Sequence, residues 1–217
     1  PAPLDLGRSF IPVVQMVTLP YLLVVNPSLP VSNVKELIAL AKARPLIYAS
    51  SGAGSVVHLA IFFFQAEDGI RMTHIPYKGS GQYLVDVMGG RVQLSFTNAL
   101  TSMPMVRSGK LRALAISTAK RASAFPELLT VAESGLPGYD MGSWNGVFVP
   151  LKTPDGIINI INRDVAAATN TPEMREKIAG DAAEVAPPNT PAQFRSLVLR
   201  EIDLWNKIVA SSGIRIE

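Results

Sequence analysis

The chain has 217 residues, a length that suits one or two α/β domains with a sizeable core. Apolar residues make up 48% of it and charged residues 17%, which argues against disorder, and the net charge of +3 is spread too thinly for a nucleic-acid surface. The absence of cysteine excludes disulfides and thiolate metal sites and agrees with an oxidising compartment.

The first residues, Pro-Ala-Pro, lack the basic and apolar regions of a signal peptide. We therefore expect a mature product or a fragment of a longer protein. No apolar run reaches the ~20 residues that a membrane span needs, so we expect no stable membrane insertion.

Strand and helix signals then alternate up to residue 118. The pattern predicts strands at 21–26, 46–49, 72–75, 92–96 and 111–117. It predicts a helix capped by Ser32, one that buries Val57, Ala60, Phe63 and Phe64, and others at 81–88 and 99–107. Since short apolar strands alternate with helices, we expect right-handed crossovers and a parallel sheet.

The pattern changes in the last hundred residues. A connection rich in proline and glycine leads to a strand at 144–149, and helices are predicted near 154–169, 172–180 and 191–210. Only Ile214–Glu217 offers a further strand. These helices lack a sheet of their own, so this part looks like half of a lobe whose sheet lies elsewhere.

Loops of small, hydrogen-bonding residues follow three successive strands. They are Ser50-Ser-Gly-Ala-Gly-Ser55, Tyr77-Lys-Gly-Ser-Gly81 and Thr97-Asn-Ala-Leu-Thr-Ser102. In an α/β sheet, ligands bind beyond the carboxyl ends of the strands, where helix N-termini favour anions. Taken alone, the first loop is better explained as a tight turn with Ser55 as a helix cap, and Lys78 as a solvated side chain; Asn98 is explained as well by a helix cap as by a ligand contact. Three in succession favour an anion site.

Catalytic and metal sites find little support in the sequence. The first loop completes neither a dinucleotide fingerprint nor a phosphate-binding P-loop, and it lacks the G-x-S-x-G elbow. His58 is expected inside a helix and His74 inside a strand, with no carboxylate at triad or metal-ligand spacing. Trp144 is expected either to line a cleft or to pack in a core.

Four longer stretches carry a resemblance to a known family. They are VVNPSLPVSNVKELIALAKARP, YASSGAGSVVHLA, HIPYKGSGQYLVDVMGGRVQLSFTN and GKLRALAISTAKR, continued by LTVAESGLPGYDMGSWNGVFVPLKTP. In order and spacing they resemble the Bug family of periplasmic solute-binding proteins, the TctC-like receptors of tripartite tricarboxylate transporters. The resemblance covers essentially the whole chain.

The resemblance implies a two-lobed type 2 periplasmic binding protein fold. One lobe, residues 21–142, is expected to be a largely complete α/β ligand-binding lobe. Residues 1–20 and 143–217 are expected to be the remainder of the other lobe, without its N-terminal portion. Family members begin with a signal peptide and a lobe whose Pro-Gly-Gly loop holds a ligand carboxylate, so we expect an N-terminally incomplete receptor.

The resemblance also implies a function and a set of ligand-binding residues. The expected protein is a monomeric periplasmic receptor that captures a small organic acid and hands it to membrane permease subunits, without a cofactor or metal. The residues carried over are Ser51, Gly52, Gly54, Ser55, His58, Tyr77, Lys78, Gly79 and Asn98. The sequence departs from the family at Thr97, where aspartate is frequent, and at Val57, where Thr or Ser is usual.

Two other functions stay open on the sequence alone. One is an α/β hydrolase or transferase that binds anions and uses Ser55 or His58. The other is a sensor that signals to a membrane partner through the same lobes.

Overall fold

Short strands and helices alternate along the chain in the computed structural model, which describes residues 9–180 and 182–212 without the side chains of residues 67, 68, 211 and 212. The strands are β1 (Phe10–Val25), β2 (Ile47–Ser50), β3 (Thr73–Pro76), β4 (Leu94–Asn98), β5 (Arg112–Ile116), β6 (Gly142–Pro150) and β7 (Glu184–Val185). The helices are α1 (Val34–Ala43), α2 (Val56–Asp68), α3 (Ser80–Met88), α4 (Ala99–Arg107), α5 (Asp155–Thr169), α6 (Pro172–Gly180) and α7 (Pro191–Ser212). Within these residues, no helix is both long enough and apolar enough to cross a membrane.

The predicted elements from β2 onward are confirmed, apart from β7, which has no counterpart in the prediction. The strand predicted at Ile214–Glu217 lies outside the described residues. The cap of α1 is Asn33 and not Ser32, because the Asn33 side chain accepts the N–H of Glu36. Ser32 donates its own N–H and hydroxyl to the Glu36 carboxylate instead.

The described chain divides into two compact units. Unit 1 contains residues 9–19 and 144–207, and unit 2 contains residues 20–143 and 208–212. The boundaries expected from the sequence fall between residues 20 and 21 and between 142 and 143. That expectation places residues 208–212 in the lobe formed by residues 1–20 and 143–217.

The unit 2 sheet is mixed, with the strand order β3-β2-β4-β1-β5. β2 is parallel to β3 and β4, but β1 is antiparallel to both β4 and β5. The prediction of a wholly parallel sheet is therefore wrong for β1. This strand enters the sheet directly from unit 1 with no crossover helix before it, so the handedness rule for crossovers does not set its direction.

The predicted strand at 21–26 is also too short, since β1 begins at Phe10 and runs through Pro20. Pro20 has no N–H to donate, and a proline ends a strand only at a position where the neighbouring strand would accept a hydrogen bond from that N–H. A local pattern does not reveal which positions those are.

The helices of unit 2 are fixed to the sheet by buried aromatic side chains. The fully buried Tyr139 packs against Phe64 of α2 and Phe96 of β4, and its hydroxyl donates to the Ala60 carbonyl at 2.9 Å. On α3, the hydroxyl of Tyr83 donates to the Phe96 carbonyl at 3.1 Å. These contacts hold the N-terminal turns of both helices in place.

Unit 1 is built on the first half of β1, which is antiparallel to β7. Val17 faces Val185 and Thr18 faces Glu184 in this pair. Its apolar core contains Val13, Val14, Val149 and Ile158. Gly146 of β6 is closely packed, because a Cβ atom there would lie 2.4 Å from Phe194 Cζ and 2.7 Å from the Val14 carbonyl oxygen.

Candidate functional site

The carboxyl ends of β2, β3 and β4 lie at one edge of the unit 2 sheet, because these strands are parallel neighbours. Their last residues are Ser50, Pro76 and Asn98, and a helix follows each strand. The N-termini of α2, α3 and α4 therefore lie at the same edge, which we call the carboxyl edge. Every sequence-predicted ligand residue lies in one of these three connections or in the first turn after it.

The first connection, residues 51–55, requires glycine at two positions. Gly52 has φ +120° and Gly54 has φ +74°, conformations that strain other residues. Ser55 caps α2, since its Oγ accepts the N–H of His58 at 3.2 Å. Ser51 is exposed beside them. The Ser55 hydroxyl is thus partly used within the helix, and main-chain groups are the principal donors of this loop.

The second connection is joined to the first, since the N–H of Tyr77 donates to the Ser50 carbonyl at 2.9 Å. The Tyr77 hydroxyl donates to the Asp86 carboxylate at 2.7 Å, a bond that raises the pKa of the tyrosine. The sequence suggests this hydroxyl as a ligand donor, but the structure commits it to Asp86. Lys78 is exposed and makes no ion pair within the described residues. Gly79 is the N-cap residue of α3 and has no side chain to accept an N–H of the first turn.

The third connection is short, because Asn98 ends β4 and caps α4 at once. Its Oδ1 accepts the N–H of Leu100 at 2.9 Å, which leaves its amide NH₂ group for another acceptor. Thr97, directly before it, is fully buried, and its Oγ1 has no hydrogen-bond partner within the described residues.

Several helix N-terminal amides at this edge have no acceptor in the described part of the chain. A helix leaves the N–H groups of its first turn unpaired unless a cap or ligand accepts them. The side-chain caps here serve only His58 and Leu100. The remaining N–H groups include those of Val56, Val57, Ser80, Gly81, Ala99 and Thr101. Together with the helix dipoles, they place hydrogen-bond donors and partial positive charge at the carboxyl edge.

His58, which the family resemblance implies as a ligand residue, stacks on His74 next to the first connection. The ring centroids of His58 and His74 lie 3.9 Å apart at an interplanar angle of 14°. Burial and the neighbouring His58 lower the pKa of His74 to about 4, and burial lowers the pKa of His58. Both rings are therefore uncharged at neutral pH, and the positive potential of the edge comes from main-chain dipoles and Lys78. The two histidines meet because the parallel register of β2 and β3 places His74 beside Tyr48, where it reaches the ring of His58.

The arrangement does not assemble a nucleophile with a base. The Ser55 Oγ accepts the main-chain N–H of His58 and not a ring proton. Ser50 lies 2.7 Å from His74 Nε2, but Ser50 is fully buried and the pKa of His74 is too low for a base at neutral pH. In the part of the chain that the structure describes, no three His, Asp or Glu side chains are grouped to hold a metal ion.

Trp144 belongs to unit 1, where it is half-buried and packs against other aromatic rings. Its ring meets Phe194 edge-on with centroids 5.0 Å apart, and its Nε1 donates to Glu201 at 2.7 Å. The ring thus makes packing contacts in unit 1 while part of its surface stays exposed.

Comparison with known proteins gives a consistent family signal. Residues 3–214 match the family model described as the tripartite tricarboxylate transporter family receptor. Protein BugT of Bordetella pertussis is 35% identical over 99% of the chain, and a UPF0065 protein of Pseudomonas sp. strain P51 is 31% identical over 95%. The chain spans 66% and 62% of the length of these two relatives.

Solved structures agree in fold. Rpa4515 of R. palustris, solved with adipate, is 38% identical and superposes with a TM-score of 0.84 over 97% of this chain and 71% of its own. MatC of Rhodopseudomonas palustris, solved with bound malate, is 28% identical, with a TM-score of 0.76 over 92% of this chain and 69% of its own. The periplasmic binding protein BugD is 26% identical, with a TM-score of 0.79.

Proposed function

Because the chain belongs to the receptor family of the tripartite tricarboxylate transporters, a family of solute-binding receptors and not of enzymes, we propose that it captures a small organic carboxylate at the carboxyl edge. We further propose that the whole protein works in the periplasm as a monomer and delivers this ligand to the permease subunits of such a transporter. The function rests on one observation, the group of unpaired amides at three helix N-termini on one sheet edge.

The chemistry of the edge favours binding over conversion. Main-chain N–H groups stabilise a carboxylate by donating charge-assisted hydrogen bonds to it, but they do not transfer a proton to it. Lys78 adds a positive charge from solvent, where it contributes less than a buried group. Adipate and malate in the related structures show that this fold accommodates dicarboxylates of different length.

Adipate is expected to raise the melting temperature of the protein, while adipamide, its uncharged counterpart of nearly the same shape, is not. A ligand at about 100 times its Kd stabilises the folded state by about 2.7 kcal/mol. Differential scanning fluorimetry with both compounds, and with malate, measures the effect.

Two results of that experiment contradict the proposal. Equal shifts with adipate and adipamide show that the negative charge is not what the protein recognises. Chemical conversion of adipate, detected by mass spectrometry after incubation, shows an enzyme and not a receptor. Uptake of labelled adipate into vesicles that carry the permease tests the delivery step separately.

A further inference from the structure

We propose that the uncharged pair His58–His74 positions the turn at Gly52–Gly54 for anion binding, and that protonation of the pair opens this turn and releases the anion. The release step rests on the proposed function. The positioning step concerns the free protein and is testable without any ligand.

The two rings hold the turn through four hydrogen bonds. His58 Nδ1 accepts the N–H of Gly54 at 3.1 Å. His74 Nε2 lies 2.7 Å from Ser50 Oγ, which accepts the N–H of Gly52 at 3.2 Å and donates to the carbonyl of Gly52 at 2.9 Å. Because the single hydroxyl proton goes to that carbonyl, His74 Nε2 is the donor to Ser50. The N–H groups of Gly52 and Gly54 thus depend on Ser50 and the two histidines, whereas the Gly52 carbonyl also accepts the N–H of Ser55 at 3.2 Å.

Protonation is incompatible with this arrangement in two ways. A proton on His58 Nδ1 turns the acceptor of the Gly54 N–H into a second donor, so the bond is lost. A second charge on His74 faces the first at a ring separation of 3.9 Å. Either event favours an open conformation, in which the turn at Gly52–Gly54 has moved away from the two rings and water reaches them.

In the described part of the chain, the surroundings of the pair supply no compensating charge. Tyr48 of β2 stacks on His74 with centroids 4.9 Å apart, and burial raises its pKa to about 12, so it stays neutral. β4, which packs against α2, carries no titratable side chain. Within the described residues, the only charge effect on the pKa of either ring is that of His58 on His74.

The direction of the pH effect follows from these shifts. The pKa of each histidine is lower in the closed turn than in water, where it is about 6.5, so protons bind preferentially to the open turn. The closed turn is fully favoured above about pH 6.5 and is lost as the pH falls towards the value of about 4 for His74. An anion that prefers the closed turn is released over the same range. Simple attraction between the anion and a charged histidine predicts the opposite, tighter binding in acid.

The first experiment follows the free protein by NMR from about pH 7.5 down to about pH 4, the pKa of His74. The amide resonance of Gly54 is expected to shift with the same midpoint as the ring of His58, as its acceptor is lost. A Gly54 amide that does not respond while His58 titrates overturns the inference.

The second experiment measures adipate affinity by calorimetry over the same range in three proteins. His58→Ala removes the acceptor and is expected to weaken binding about tenfold at neutral pH. His58→Asn places Oδ1 near the position of Nδ1 but does not titrate, so it recovers most of that loss. The affinity of the natural protein should fall at least about fivefold relative to His58→Asn towards about pH 5.5. Protonation of adipate itself affects both proteins equally and cancels in this ratio.

The outcomes separate this inference from the proposed function. A constant ratio, or tighter binding by the natural protein in acid, overturns the release step even though adipate binds. Complete absence of adipate binding overturns the proposed function, and the response of the Gly54 amide still decides whether the histidines position the turn.

Discussion

Replacing Val56 and Ser80 together by proline is expected to weaken adipate binding at least about 100-fold without unfolding unit 2. Each residue is the first of its helix, and each contributes a main-chain N–H that no group in the described chain accepts. Proline removes that N–H and nothing else from the main chain. A hydrogen bond to a charged group contributes about 1.5–3 kcal/mol, so two of them account for about two orders of magnitude in Kd.

The main chain accommodates proline at both positions. The preceding residues, Ser55 (φ −65°, ψ 157°) and Gly79 (φ 174°, ψ 168°), are extended, as the residue before a proline must be. Proline is favoured at the first position of a helix, and α6 and α7 of this chain already begin with Pro172 and Pro191.

A matched control is available in unit 1. Asp155 is the first residue of α5, follows an extended Pro154 and is exposed, so Asp155→Pro removes the same kind of N–H away from the carboxyl edge. Isothermal titration calorimetry should show unchanged adipate affinity for this control. If the double proline variant keeps its circular dichroism spectrum and also its affinity, the helix N-termini do not bind the carboxylate.

Gly146→Ala is expected to destabilise unit 1 by about 3 kcal/mol or more. The added Cβ would lie 2.4 Å from Phe194 Cζ and 2.7 Å from the carbonyl oxygen of Val14. Phe194 is 1% exposed and has little room to move, and the carbonyl belongs to the main chain of β1. Neither the Phe194 ring nor the Val14 carbonyl can move away without disturbing other contacts, so the clash destabilises unit 1.

Tryptophan fluorescence during urea unfolding isolates this effect, because the chain's two tryptophans, Trp144 and Trp205, both belong to unit 1. Gly156→Ala is the control, since a Cβ there meets nothing within 4 Å and alanine favours a helix by about 0.5–1 kcal/mol. Adding Phe194→Leu to Gly146→Ala should recover part of the loss. Equal unfolding midpoints for the two alanine variants would show that Gly146 is not closely packed.

The location of the candidate site is largely predictable from the sequence, because the signals that mark it are local. Small residues after short apolar strands predict loops at 50–55, 77–81 and 97–102, and in the structure a helix begins directly after or within each of these loops, at Val56, Ser80 and Ala99. Glycine at 52 and 54 marks a turn that other residues strain, and the positive φ angles explain why.

Features that depend on distant residues are not predictable in this way. The direction of β1 is set by its pairing with β4 and β5, which no pattern within FIPVVQMVTLPYLLVV contains. The stacking of His58 on His74 depends on the register of β3 against β2. The hydrogen bond from Tyr77 to Asp86 depends on the side-chain conformations of both residues, which the sequence pattern does not predict.

The reliance of the carboxyl edge on main-chain amides has a consequence for how such a receptor diversifies. An amide is present whatever side chain it carries, so most substitutions at exposed positions such as Ser51, Ala53 and Gln82 leave the charge-binding groups in place. Side chains around them, such as Lys78 and the 49% exposed Leu100, are free to mutate and to change which acid is preferred. In the proposed receptor, selectivity for new acids can therefore evolve by single exposed replacements while the amides proposed to hold the anion stay in place.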